Sequence, residues 1–268
     1  MTRGFIFDLD GTVYLGNRLI EGAVETIKYL RNNGDKLVFL TNKPIASRQD
    51  YLVKLKKLGI DAKLHEIINS SYITAKYLRK HTTSKDSVYV IGEEPLVKEL
   101  NRENIRMTDD PILANLVLLR WDRSFTYEKL NNAYQAWFKN EATILATNPD
   151  RTCPVYGGQV PDCGAIIGAF EGATGQPIDY VIGKPSNFTA QFVVDEVLKL
   201  KPEQCYMVGD RLETDIRMGY ENGLNTILVL TGITEKYMVE ESLYPPTLIM
   251  ESLKDIVHME KEKNSPPL

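Results

Sequence analysis

Two aspartates near the start of the chain, Asp8 and Asp10, are separated by one residue and followed by a turn glycine, Gly11. They come directly after the apolar run 4–7, which is typical of a buried strand. A carboxylate placed there can attack a phosphoryl group, while its neighbour protonates the leaving oxygen and later accepts a proton from water. Asp8 fits the first role and Asp10 the second. Asp-Gly pairs also cap ordinary turns, so the motif alone leaves a structural role open.

A second acidic pair, Asp210 and Asp215, follows another apolar run, 205–208. In an open α/β sheet ligands bind beyond the carboxyl ends of the strands, so we expect these acids to meet Asp8 around a divalent ion. Oxygen ligands of this kind suit Mg²⁺, which uses few protein carboxylates and keeps several waters. Helix capping also explains Asp215, but it leaves Asp210 without a role.

Two more places along the chain could hold a phosphate. Thr41 and Asn42 end the apolar run 36–40 and offer a hydroxyl and an amide beside backbone N–H groups. Lys184 precedes a proline that prevents a helix from beginning before it, and its cation can stabilise charge on a transferring phosphoryl group. An ordinary helix N-cap at 41–42 and a solvated surface lysine at 184 are the alternatives.

The elements that must position these residues alternate short β-rich runs with amphipathic stretches, which predicts an α/β fold with a parallel sheet flanked by helices. A long stretch, 147–164, is rich in Pro, Gly, Asn and Asp and is interpreted as a functional loop or a surface excursion. The last residues, 261–268, are expected to fray. The predicted strands are 4–7, 36–40, 87–91, 116–119, 143–146, 205–208 and 226–230, and helices are expected between 23 and 30 and between 45 and 58.

Composition limits the classes of partner. The 268 residues are 43% hydrophobic and 25% charged, which is ordinary globular usage. A net charge of −4 gives no electrostatic reason to expect nucleic acid or an anionic membrane. No run approaches the about 20 apolar residues of a membrane helix, and no signal-peptide pattern opens the chain, so a cytoplasmic protein is expected.

Three cysteines without CxxC spacing argue against a disulfide framework and against a zinc site. Cys205 lies in an apolar run and is expected in the core. Cys163 lies beside a glycine in the long loop region, and an exposed position is considered for it.

The order of the motifs, DxDGT, then Thr, then Lys, then GDxxxxD, resembles the haloacid dehalogenase superfamily. That resemblance implies a Rossmann-like doubly wound parallel sheet core at 1–68 and 182–268, with an inserted α/β C2 cap domain at 69–181. The segment from Thr147 to Asp150 with the Gly-rich stretch after it is similar to the NagD-type subfamily. This subfamily includes sugar-phosphate phosphatases, among them the arabinose-operon enzyme, and 4-nitrophenyl phosphatases.

Carried over residue by residue, the resemblance implies a Mg²⁺-dependent phosphatase of small phosphorylated metabolites. Asp8 would be the nucleophile and a metal ligand, Asp10 the general acid/base with its carbonyl on the metal, and Asp210 the third protein ligand. Asp215 would support the metal's waters or orient the lysine. The resemblance also implies a homodimer formed through the cap. Thr41, Asn42 and Lys184 would hold the phosphate, and Asn148 and Asp150 of the cap would help select the substrate.

Several alternatives remain at this point. Asp10 favours a phosphatase or phosphomutase over dehalogenases, which lack it, and over transport ATPases, which carry Lys there. Only 28 residues separate Thr12 from Thr41, too few for the helical cap usual in phosphomutases. A non-catalytic phospho-ligand-binding regulator with the same fold, and a receiver-like signalling domain, are the readings from other classes. Relatives often have a glycine where this chain has Asp162. Because of this difference, the substrate of a relative is not assigned to this chain.

Overall fold

The computed structural model describes residues 2–43, 46–155 and 157–263. The chain divides into two compact units, and each is built from more than one stretch of sequence. Unit 1 comprises Met1–Thr41, Arg48–Ile68 and Thr189–Leu268, and unit 2 comprises Asn42–Ser47 and Asn69–Phe188. The short segments 42–47 and 182–188 are therefore assigned with the inserted stretch, whereas the sequence-based division assigns both to the core.

The structure alternates strands and helices along most of the described chain. The strands are β1 (Gly4–Phe7), β2 (Tyr14–Leu15), β3 (Arg18–Leu19), β4 (Lys36–Thr41), β5 (Ile67–Asn69), β6 (Val88–Ile91), β7 (Leu116–Leu119), β8 (Thr143–Ala146), β9 (Thr152–Val155), β10 (Gly158–Pro161), β11 (Tyr180–Val181), β12 (Cys205–Gly209), β13 (Asn225–Val229) and β14 (Leu248–Met250). The helices are α1 (Ala23–Asn32), α2 (Arg48–Lys57), α3 (Ser70–His81), α4 (Glu94–Arg102), α5 (Tyr127–Asn140), α6 (Cys163–Thr174), α7 (Asn187–Gln191), α8 (Arg217–Glu221), α9 (Lys236–Glu240) and α10 (Lys254–Lys263).

Unit 1 is organised around a six-stranded sheet with the order β14-β13-β12-β1-β4-β5. Its centre, β1, pairs in parallel with β12 on one side and β4 on the other. All four residues of β1 are buried, because a central strand is covered on both faces and needs apolar side chains on both. Parallel pairing brings the carboxyl ends of β1, β4, β12 and β13 to one edge. The predicted doubly wound α/β core is confirmed.

Unit 2 contains a second parallel sheet, with the order β11-β8-β7-β6. Its apolar core includes Ile91, Leu119 and Ile144 from the strands and Phe170 from α6. A separate antiparallel hairpin is formed by β9 and β10. This sheet lies in the stretch for which the resemblance implies an inserted α/β domain.

The long stretch 147–164 differs from the sequence-based expectation of a loop. It contains the hairpin β9–β10 and the first residues of α6, in which Asp162 is the N-cap and accepts a hydrogen bond from the Cys163 N–H. The pattern was missed because each arm of the hairpin is only four residues long and its exposed residues carry little apolar periodicity. At the C-terminus α10 reaches Lys263, while the rest of the predicted frayed tail, 264–268, lies outside the described residues.

Across the described ranges, no helix has both the length and the apolar character that a membrane-spanning segment requires.

Candidate active site

The first functional side chain of unit 1, Asp8, is placed by the central strand. Its backbone N–H donates to the carbonyl of Val208 at 2.9 Å, which extends the parallel pairing of β1 and β12 by one residue. The chain then turns sharply at Gly11, whose φ of +96° favours glycine. The Asp8 carboxylate is buried, with 7% of the residue exposed, at the carboxyl end of β1. An ionised side chain enclosed in this way needs a partner of opposite charge.

Asp210, directly after β12, is held by the loop that follows β13. Its Oδ2 atom accepts a hydrogen bond from the Ile233 N–H at 2.8 Å, and its carbonyl accepts one from the Thr234 N–H at 3.2 Å. The same loop is tied to the first motif, because the Thr231 hydroxyl donates to the carbonyl of Gly11 at 2.6 Å. The loop 231–234 therefore positions Asp210 relative to the turn that follows Asp8.

Asp215 lies one turn further on, in a π-helical stretch at Leu212–Ile216 that leads into α8. Its Oδ2 atom accepts a hydrogen bond from the Arg211 N–H at 3.2 Å. A Cβ atom on Gly209 would lie 2.3 Å from Asp215 Oδ2, so only glycine leaves room for this carboxylate against the end of β12. Asp215 is 1% exposed.

The carboxylate oxygens of Asp8, Asp210 and Asp215 lie within 4.8 Å of one another, and all three residues are buried. Like charges at this separation destabilise one another unless a cation or protons intervene. A set of hard oxygen donors at the end of a sheet is the environment that Mg²⁺ takes in proteins, so the residues fit such an ion. The carboxylate of Asp10 is outside this set, which is compatible with the expectation that its backbone carbonyl, rather than its side chain, faces the metal.

A residue that the sequence analysis did not single out, Tyr14, lies beside the first motif, where it forms a β-bridge with Asp10. It is fully buried, and the Nζ atom of Lys54 lies 3.5 Å from its ring centroid. Burial raises the pKa of the Tyr14 phenol well above its usual range, and the negative charges of Asp10 and Asp8 raise it further. The phenol therefore stays neutral beside the two carboxylates. Its signal in the sequence was an aromatic side chain three residues after the turn glycine.

The loop 231–234 was also missed, although the rule that places ligands beyond the carboxyl ends of strands applies to β13 as well. The sequence contains Thr231 and Gly232 immediately after that predicted strand. Thr41, which was singled out, ends β4 at the same edge of the sheet and is buried.

In unit 2, the structure brings Asn42, Asn148, Asp150 and Lys184 together. Asn42 donates from Nδ2 to Asp150 Oδ2 at 2.9 Å and to the backbone carbonyl of Lys184 at 3.0 Å. Asn148 is fully buried, and its Nδ2 donates to the same Asp150 oxygen at 3.0 Å. The side chains of Asn42 and Asn148 were expected to contact phosphate and substrate. Their amide protons are directed at protein acceptors, and a role of either residue toward phosphate or substrate stays a prediction.

Cys163, for which the sequence left an exposed position open, is placed in the interior by the structure. It is the first residue of α6 and is fully buried. Burial raises the pKa of its thiol to about 12, and the nearby charge of Asp162 contributes to the shift. A redox role needs an accessible thiolate, so the structure argues against one here. Cys205 is in the core, as predicted.

Comparison with known proteins agrees with this geometry. The family profile of the haloacid dehalogenase-like hydrolases matches residues 5–106, and a second profile of hydrolases of the same superfamily matches 181–256. The chain is 38% identical over 259 residues to the sugar-phosphatase AraL of Bacillus subtilis, covering 97% of this chain and 93% of that protein.

Solved structures give the same result. A p-nitrophenyl phosphatase from Archaeoglobus fulgidus superimposes with a TM-score of 0.89 at 32% identity, covering 96% of this chain and 99% of that one. A glycerol phosphate phosphatase from Mycobacterium tuberculosis, solved in complex with magnesium, has a TM-score of 0.85 at 27% identity, covering 95% and 76% of the two chains.

These relatives confirm the predicted phosphatase class and leave the reading as a non-catalytic binder without support. The two profiles cover the segments that carry the four motifs, and the similarity to AraL extends over nearly the whole chain. The chain belongs to the haloacid dehalogenase-like hydrolases and, within them, to the NagD-type phosphatases, which hydrolyse phosphoric monoesters.

Proposed function

We propose that this enzyme hydrolyses small phosphorylated metabolites, with sugar phosphates as the substrate class, in a Mg²⁺-dependent reaction that passes through a phospho-aspartate on Asp8. The observation that carries the proposal is the buried cluster of Asp8, Asp210 and Asp215 at the carboxyl ends of the central strands. The curated relative AraL is a sugar phosphatase, which supports the substrate class.

In the first step an Asp8 carboxylate oxygen attacks phosphorus, and the bond from phosphorus to the ester oxygen breaks. Asp10 donates its proton to the departing oxygen, so that an alcohol leaves rather than an alkoxide. In the second step Asp10 takes a proton from water, the water oxygen attacks phosphorus, and Asp8 is released together with inorganic phosphate. Asp8 is enclosed, whereas Asp10 is only partly buried. The partial exposure of Asp10 suits its role, because a general acid/base exchanges protons with water.

Asp8, the backbone carbonyl of Asp10 and Asp210 would hold the metal, with Asp215 supporting it. Bound Mg²⁺ supplies positive charge that offsets the repulsion between the Asp8 carboxylate and the phosphate oxygens. The Thr41 hydroxyl and the Lys184 ammonium are the groups that we assign to the phosphate. Asp150 of the inserted unit is partly exposed, and we assign it to substrate selection.

The direct test is turnover of 4-nitrophenyl phosphate with Mg²⁺, and after chelation with EDTA. Wild type should require the metal, and Asp8→Asn should lose activity completely while Asp61→Asn, an exposed aspartate outside the cluster, retains it. Acid quenching with a labelled substrate should trap phosphate on wild type and not on Asp8→Asn. Binding of phosphate esters without Mg²⁺-dependent turnover would instead favour a non-catalytic binder.

The substrate class needs its own measurement. A panel of sugar phosphates, phosphoglycolate, nucleotides and pyridoxal phosphate should be ranked by kcat/KM, since that ratio measures discrimination between substrates. Sugar phosphates should rank first. A homodimer formed through the inserted unit and a cytoplasmic location stay predictions, and light scattering coupled to size exclusion would test the first.

A further inference from the structure

The side chain of Asn42 pairs with the backbone of Lys184, a residue 142 positions away. Asn42 Oδ1 accepts a hydrogen bond from the Lys184 N–H at 2.9 Å, and Asn42 Nδ2 donates to the Lys184 carbonyl at 3.0 Å. The Asn42 carboxamide thus satisfies both the backbone N–H and the backbone carbonyl of Lys184, as the backbone of a neighbouring strand would do in a sheet. Both residues are buried, so neither backbone group can turn to water instead.

The backbone just before Lys184 is held equally closely. The Gly183 N–H donates to the carbonyl of Thr147 at 3.0 Å, directly after strand β8. A Cβ atom on Gly183 would lie 2.4 Å from that carbonyl oxygen and 2.7 Å from Asn42 Oδ1. Residues 183–184 are therefore fixed between the end of β8 and the Asn42 carboxamide.

Asn42 is in turn oriented by a chain of alternating amides and carboxylates. Its second N–H donates to Asp150 Oδ2, which also accepts from Asn148 Nδ2. Asn148 Nδ2 further donates to Asp162 Oδ1 at 3.2 Å. Each carboxamide thus places its donors on two protein acceptors, and a polar network whose members are satisfied in this way is rigid.

We propose that Asn42 is a positioning residue that fixes where the Lys184 side chain emerges, and that its carboxamide does not itself bind phosphate. The proposal rests on the proposed function, in which Lys184 serves the phosphoryl group. Asparagine is suited to the task because aspartate has no N–H for the Lys184 carbonyl and would face the Asp150 carboxylate with a second negative charge. Asp162 belongs to the same network, since it anchors Asn148.

A double-mutant cycle separates this role from a direct phosphate contact. The variants are Asn42→Ala, Lys184→Met and the two combined, with Asn131→Ala on the exposed face of α5 as the matched control. We expect Asn42→Ala to lower kcat/KM for 4-nitrophenyl phosphate by about 10²-fold, as a misplaced catalytic group does. In the Lys184→Met background the same change should cost less than about threefold, because the group that Asn42 positions is already gone.

Inhibition by inorganic phosphate should follow the same non-additive pattern, and the control should match wild type in both assays. Losses that multiply would overturn the proposal, because they would show that Asn42 acts on phosphate independently of Lys184. Multiplying losses are also what general destabilisation would produce, so melting temperatures are measured for every variant. If Asn42→Ala does not fold, Asn42→Ser, which keeps a small polar group and adds no charge, replaces it in the cycle with the same two outcomes. Wild type without Mg²⁺-dependent turnover would overturn the proposed function, and this role with it.

Discussion

The carboxylate of Asp210 occupies the space that a side chain on Gly232 would need. A Cβ atom built on Gly232 would lie 1.8 Å from Asp210 Oδ2, and one built on Gly11 would lie 2.5 Å from the same oxygen. Two loops from different strands therefore close around one carboxylate, and glycine at both positions permits the approach.

The first prediction concerns this contact. Gly232→Ala should displace Asp210, so we expect the Mg²⁺ concentration for half-activation to rise and kcat/KM to fall by about 10²-fold or more. Overpacking should also lower the free energy of unfolding by about 1–3 kcal/mol. Metal titration of activity and denaturant unfolding measure the two effects.

The control for that experiment is Gly168→Ala, in helix α6, where an added Cβ meets nothing within 4 Å. Alanine is the better helix former, so this variant should be more stable by about 0.5–1 kcal/mol and fully active. An unchanged Mg²⁺ requirement in Gly232→Ala would contradict the prediction that this contact holds Asp210 in place as a ligand.

The second prediction follows from the repulsion within the acidic cluster. Without metal, Asp8→Asn should raise the free energy of unfolding by about 0.5–2 kcal/mol, because it removes one of three like charges within 4.8 Å. Saturating Mg²⁺ should then stabilise wild type more than the variant, since stabilisation by a ligand grows with its affinity. Urea unfolding in EDTA and in Mg²⁺ gives all four values. Asp61→Asn is the control and should be as stable as wild type. A lower free energy of unfolding for Asp8→Asn in EDTA would contradict the proposed repulsion within the acidic cluster.

The third prediction concerns Tyr14, whose neutral phenol lies beside Asp10 and under the Lys54 ammonium. If the Tyr14 phenol helps to orient Asp10, Tyr14→Phe should slow the hydrolysis of esters with poor leaving groups by about 10-fold, because these leaving groups need the proton that Asp10 supplies. Hydrolysis of 4-nitrophenyl phosphate, whose leaving group departs without a proton, should change less than about threefold. Tyr127→Phe, at an 84% exposed position, is the control. The same loss for both kinds of ester would rule the orienting role out.

The fourth prediction concerns the thiols. The thiolate is the reactive form, and at pH 8 a thiol with a pKa of about 12, such as Cys163, is ionised in only about one molecule in 10⁴. Burial and the charge of Glu203 raise the pKa of Cys205 to about 11. Iodoacetamide at pH 8 should therefore leave activity intact in the native enzyme and label three cysteines per chain in denaturant. Mass spectrometry counts the labels, and rapid native alkylation of Cys163 would be inconsistent with its burial.

Much of the fold was predictable because the strands are local features. β1 and β7 have the predicted bounds, and β4 and β12 are each one residue longer, since an apolar run between turn residues is recognisable without knowledge of its partners. The hairpin β9–β10 was not recognised, because each arm has only four residues and β10 is mostly exposed.

The same distinction applies to the site. The residue types and their order along the chain determined the phosphatase chemistry: two spaced aspartates after one strand, two more after another, and a threonine and a lysine between them. The close approach of Asp8, Asp210 and Asp215 followed from the general rule that parallel strands end at one edge. Only the tertiary structure showed which residues position the functional groups through hydrogen bonds. The pairing of Asn42 with Lys184, and the loop 231–234 that encloses Asp210, join residues whose separation in sequence has no pattern, because a hydrogen bond depends on position in space and not on spacing along the chain.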